Sequence, residues 1–218
     1  MRLVAHALVY QAIVLSCLCN VASGDDSLAP ERRYDAGPLS IVEFTGSVKP
    51  GSNAQANTGT RVMYQYRYSV RQVGRKFVAV MTSIDLYTVF LPEESWWVPD
   101  SEPELLDHEQ GHFDVAEISV RKSQLALATA KAEGKTITIT SDSRKDSIKS
   151  IMAKIDEIRR LIDLQISEDN LEYDRVTRHG THASAQREKR RIQRLTLDRL
   201  AEDLEALNST STPTRRTR

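Results

Sequence analysis

Cysteine is nearly absent from this chain of 218 residues, which has two in all. Both, Cys17 and Cys19, fall in a leading stretch whose composition marks it for removal. Met1-Arg2 is a short positive start, an apolar run follows from residue 3 to residue 19, and Val21-Ala22-Ser23-Gly24 offers small residues where a signal peptidase cuts. Cleavage after Gly24 is expected, giving a secreted or periplasmic protein without disulfides, thiolate metal ligands or a cysteine nucleophile. The apolar run is broken by His6, Gln11 and Ser16 and is shorter than the roughly 20 residues of a membrane helix. No stable membrane span is therefore expected after cleavage. Val14-Leu15-Ser16-Cys17 faintly resembles a lipobox, with Leu15 the poor fit, so a lipid-anchored form stays open.

An excess of charge of either sign is also missing. Lys and Arg total 30 against 30 Asp and Glu, so the broad phosphate-neutralising surface of a nucleic-acid binder is not expected. Aromatics are scarce at 6% while charged residues reach 28%, a balance that suits a helix-rich globular protein. No internal repeat is present.

What remains divides into a β-rich part, residues 40–100, and a helical part, residues 101–207, within one α+β domain. Residues 25–39 are expected to be an N-terminal extension, and residues 208–218, rich in Ser, Thr and Arg, a disordered basic tail. Strands are expected at 41–45, 61–70, 76–82 and 84–91, from their β-branched and aromatic content, forming a small antiparallel sheet with one wet face. The Trp96-Trp97 pair that follows is read as core. Ser101 and Glu104 have capping-box spacing, with Pro103 in the first turn, so a long helix is expected from 101 to Gly134. Residues 135–140 alternate like a short strand or link. A second helix is expected over about 145–168, with Ile148, Ile151, Ile155, Ile158 and Ile162 inward, and a third over about 184–207, with Ile192, Leu195, Leu200, Leu204 and Leu207 inward. These stripes are read as intramolecular packing, being too short to demand a coiled coil.

One motif carries chemistry: His108-Glu109-Gln110-Gly111-His112 on the first helix. Residues four apart on a helix differ by about 40° and roughly 6 Å of rise, so both imidazoles can reach one ion. Glu109, one position round, can approach a water on that ion without binding the metal itself and serve as general base. The pattern predicts one Zn2+ per chain and hydrolysis of an amide bond in a peptide or protein substrate. Four histidines lie beyond the leader, and they form two pairs: His108 with His112, and His179 with His182. Asp114 and Glu117 are candidate acceptors for the imidazole N–H groups, and Tyr173 and Asp174 are candidates for oxyanion or supporting roles. A mid-helix Gly111 costs up to about 1 kcal/mol relative to Ala, which suggests that another segment approaches closely there. The third ligand must come from elsewhere, since Asp114 and Glu117 lie roughly 160° and 140° round the helix from His112. His179 and His182 supply the remaining imidazoles, and Asp174 and Glu172 are possible oxygen ligands.

Residues 105–117, Leu-Leu-Asp-His-Glu-Gln-Gly-His-Phe-Asp-Val-Ala-Glu, resemble the core motif of a bacterial domain-of-unknown-function family described as secreted zinc-dependent proteases. Residues 58–68, Phe90-Leu91-Pro92 and Trp97 are similar to that family's β-rich part. Residues 173–180 look like its Tyr-Asp-x-x-Thr-x-His-Gly segment. The resemblance covers roughly residues 41–207 and implies a secreted or periplasmic bacterial zinc hydrolase, a metallopeptidase. It also selects His179 over His182 as the third metal ligand. The family often has a Trp in the last helix, and this chain has none after Trp97. Two alternatives stay open: a non-catalytic secreted zinc-binding protein that engages a partner through its helices, and a zinc amidase acting on cell-wall peptide.

Overall fold

The structure, a computed structural model, describes residues 32–210. The expected signal peptide, its cleavage site and most of the basic tail lie outside the described residues. Within them the chain is α+β, as expected: a small antiparallel sheet followed by three long helices. Among the described residues no helix is long and apolar enough to cross a membrane.

The sheet is built on one long hairpin. Strand β3 (Thr60–Val73) pairs antiparallel with β4 (Lys76–Phe90) along its whole length. The two strands expected at 76–82 and 84–91 are thus one. The register shifts opposite Arg67 and Tyr68, which face Ser83 and Met81, so Thr82 is an extra residue that breaks the alternation without breaking the strand. The other edge of β4 takes β1 (Arg32–Arg33) at one end and β6 (Thr138–Ser141) at the other. Arg32 and Arg33 are therefore part of the domain, as is Leu39, which is buried with Phe44, Phe90 and Phe113; the domain extends into the segment expected to be an extension.

Residues 41–45 are not a strand. Ile41–Glu43 is a 3-10 turn with a capping box, in which the Glu43 carboxylate accepts from the Ser40 N–H at 2.6 Å. Val42 is 83% exposed, so its β-branched neighbours reflected no buried face. A second small sheet pairs β2 (Ala56–Asn57) with β5 (Trp96–Trp97). Trp96 is buried and Trp97 packs edge-on to Phe44, which fits the core reading of the pair.

Helix α1 spans Leu105–Ala132, α2 Arg144–Thr177 and α3 Ala183–Thr210. The expected capping box at Ser101 and Glu104 does not form: the Ser101 hydroxyl donates to the Val98 carbonyl at 2.7 Å, and a turn through Pro103 leads into α1. Val62 and Leu86 from the sheet, Ala116 and Val120 from α1, and Ile162 and Ile166 from α2 form one core cluster. Ala79, Met81, Ile151 and Ile155 form a second beside it. Helix α2 runs nine residues past its expected end, carrying Asn170, Tyr173 and Asp174. Helix α3 extends through residues 208–210. Its expected inward stripe holds only in the C-terminal half: Leu200 is buried and Leu204 and Leu207 half-buried, but Ile192 and Leu195 are exposed, and Gln186, Arg190, Gln193 and Leu197 are buried against α1 instead. Polar groups fill that side because α1 offers polar partners. Arg190 lies between Asp107, at 3.0 Å, and Asp114, and Gln193 donates to the Gly111 carbonyl at 3.0 Å.

Candidate metal centre

His108 and His112 project from one side of α1, and their Nε2 atoms stand 3.1 Å apart. Each ring is held from behind. His108 Nδ1 donates to Gln186 Oε1 on α3 at 3.3 Å, and His112 Nδ1 donates to Asn170 Oδ1 on α2 at 2.9 Å. With Nδ1 as the donor in each neutral ring, both Nε2 atoms direct lone pairs at the same point. Asp174 completes the group from α2, its Oδ1 being 3.1 Å from each Nε2. Asn170 and Asp174 are four residues apart, so the two helices face each other with matching spacings: two imidazoles on α1, one imidazole holder and one carboxylate on α2.

Three acceptor atoms this close repel one another unless a metal ion or a proton lies among them. Asp174 Oδ1 is buried and has no donor in hydrogen-bonding geometry, the expected state of an oxygen placed for a metal. His108, His112 and Asp174 form a group able to hold a metal ion. Burial alone would raise the Asp174 carboxyl, but the adjoining His108 and His112 rings outweigh it and hold it well below the usual carboxylate range. Burial likewise disfavours charge on His112, yet Asp174, Glu109 and Asn170 together raise it above its ordinary value.

Glu109 is 3% exposed. Its Oε2 accepts from the Thr58 hydroxyl at 2.6 Å, which fixes the carboxylate beside the group but outside it. His179 lies at the edge of the site. Its side chain is 79% exposed, and Nδ1 is 3.5 Å from Asp174 Oδ1, but the ring is not among the three convergent donors. The third position expected for His179 is occupied by Asp174, because the extended α2 aims that carboxylate inward while the turn after α2 aims His179 outward. His182 is exposed on that same turn, and Glu172 pairs with Arg175 at 2.7 Å on the outer face of α2.

The remaining candidates have other duties. Asp114 accepts from Tyr34 at 2.8 Å, from Gln110 at 2.7 Å and from Arg190, all on the α3 side of α1. Glu117 accepts from Arg121 at 2.7 Å. Neither touches an imidazole, as their angular offset from His112 requires. Tyr173 is 2% exposed and stacks on His108 at 5.0 Å, with its hydroxyl engaged by Gln186 at 2.8 Å. Burial pushes that phenol above its ordinary value, so Tyr173 stays protonated and forms a wall of the site with its hydroxyl turned to Gln186. Gly111 makes room for it: a Cβ there would lie 2.0 Å from the Tyr173 oxygen. Gly180, at φ 80°, lies close to His108, where an added Cβ would come within 3.1 Å of the His108 Cβ and Cγ.

The site opens into a cavity of about 940 Å³ lined by residues 53–58, by Glu102, Glu104 and Glu109, and by His179 and Gly180. Comparison with protein-family models, with curated proteins and with solved structures finds no match.

Proposed function

We propose that this protein is a zinc-dependent hydrolase, a metallopeptidase, acting outside the cytoplasm. The observation that carries the reading is a triangle of two imidazole nitrogens and one carboxylate oxygen with sides of 3.1 Å. Tetrahedral zinc, with bonds near 2.0–2.1 Å, separates its ligand atoms by about 3.4 Å, so His108, His112 and Asp174 need only a small outward relaxation to hold it. Three protein ligands leave one position of a four-coordinate ion open, as catalytic zinc requires. Bound there, zinc would supply a nucleophilic water and polarise a carbonyl.

The chain's own residues do the rest. Glu109 Oε2 is held by Thr58, so Oε1 accepts the proton from the attacking water and passes it to the leaving nitrogen. Tyr173 stacks on the His108 ring and Gly180 packs close to it, and Gln186 and Asn170 keep both imidazoles in the tautomer that frees Nε2.

Two measurements test this. The mature chain should carry about one zinc per molecule by elemental analysis, lost in a His108→Ala, His112→Ala variant. Glu109→Gln should keep the zinc and the fold but abolish peptide hydrolysis, because an amide cannot take the proton. Undiminished turnover in that variant removes Glu109 as the base. A non-catalytic zinc site is the second reading, favoured by the position of His179, 3.5 Å from Asp174. If that ring swings in as a fourth ligand, the site is closed, and His179→Ala would then cost most of the zinc affinity.

A further inference from the structure

The metal centre lies where two cavities meet. Beside the 940 Å³ cavity is a second one of about 420 Å³, between the start of β3 and α2, with Val62, Ile166 and Leu171 among its lining residues. Thr58, Asn170 and Asp174 line both, so the ligand-bearing face of α2 is a wall shared by the two cavities. A chain laid across that wall would extend away from the reacting bond in both directions.

Charge says what kind of chain. Glu102 and Glu104 line the first cavity and Asp163, which also pairs with Arg159 at 3.4 Å, the second; all three are exposed, and no Lys or Arg is among the lining residues of either cavity. A pocket that captured a C-terminal carboxylate would need such a cation, and one that captured an amino terminus would place its acids on a single side of the centre. Here acids flank both sides. The second cavity adds apolar walls, with Leu171 69% exposed, suited to the aliphatic stems of Lys and Arg whose heads reach the carboxylates.

Resting on the metallopeptidase reading, we infer that the substrate is an extended basic polypeptide, held across the centre with cationic side chains on both sides of the scissile bond and cut internally. In that step the water oxygen bonds to the acyl carbon, the C–N bond breaks, and the proton taken by Glu109 goes to the leaving nitrogen.

The test uses fluorescence anisotropy with the zinc-loaded Glu109→Gln protein, which binds without cutting, and three peptides acetylated and amidated at their ends. Each has about twelve residues, roughly 40 Å when extended, and they differ only in carrying Lys, Ser or Glu at alternate positions. The lysine peptide should bind at least about tenfold tighter than the glutamate peptide, a preference that shrinks with added salt. Glu102→Lys with Glu104→Lys should erase part of it, and Asp163→Lys another part. Equal binding of the three peptides, or binding only when an end is unblocked, overturns the inference even if the wild type cuts peptides. Charge-selective binding of the blocked peptide without any cutting by the wild type upholds the cleft and removes the peptidase reading.

Discussion

Gly111→Ala separates local from tertiary physics by sign. Within an isolated helix the change should stabilise by up to about 1 kcal/mol, because Gly is the poorer helix former. In this protein the new methyl would lie 2.0 Å from the Tyr173 oxygen and 2.4 Å from its ring carbon Cζ. A flexible surface side chain would swing away at little cost. Tyr173 is not free to do so, being 2% exposed, stacked on His108 and hydrogen-bonded to Gln186. Forcing an extra methyl into such a site costs about 1–3 kcal/mol, and each lost hydrogen bond of the Tyr173 hydroxyl about 1 kcal/mol more. Offset by the helix term, the expected net loss is about 1–4 kcal/mol in urea unfolding of the metal-free chain. Zinc affinity should fall as well, by roughly 10–100-fold, since the ring support of His108 moves. The same change made in a Tyr173→Ala background should become neutral or stabilising, and the double-mutant cycle measures the coupling. A Gly111→Ala protein as stable as the parent, or more so, would refute the close-approach argument.

Removing the carboxylate should show which group is the third ligand: Asp174→Asn should weaken zinc binding by more than the 10–100-fold typical of an outer partner, and His179→Ala by less, as read by competition with a chelator. The reverse order would restore His179 to the ligand set. The metal-free chain should also show opposite pH responses of stability and metal binding. His112 is raised above its ordinary 6.5 in the folded state, so its contribution to stability is full below that value and is lost as pH rises through the higher folded value. Asp174 is lowered from 3.8, so its contribution is full above that value and is lost as pH falls. Metal-free stability should therefore decline from about pH 6 to about pH 8 while zinc affinity rises, because the metal displaces the His112 proton. Urea midpoints and chelator competition at the two pH values check this, and parallel slopes would contradict it.

The parts legible in the sequence were those whose burial is apolar. The extended segments of the hairpin, though not the continuity of its second strand through Thr82, the isoleucine side of α2 and the position of His108, Glu109 and His112 on one helix follow from periodicity or from a spacing that chemistry requires. Hydrophobic periodicity fails where a helix buries polar groups, and it failed here twice for that reason. Past Ile166 the inward positions of α2 are Asn170, Tyr173, Asp174 and Thr177, so the apolar stripe stops while the helix continues to Thr177. On α3 the inward positions begin with Gln186, Arg190 and Gln193 before Leu197 and Leu200 take over. Those five residues keep helical spacing throughout, and only the chemistry of the side chains changes. Both failures adjoin the metal centre, because its imidazoles and backbone carbonyls need polar partners from every neighbouring helix. A pattern search that scored Asn, Gln, Asp and Arg at helical spacing opposite a two-histidine motif would have found Asn170 with Asp174 and Gln186 with Arg190 and Gln193. Thr58 would have escaped even that search: it lies 51 residues from Glu109 between two paired segments, and the pairing of β2 with β5 on one side and of β3 with β4 on the other holds it at the carboxylate it orients.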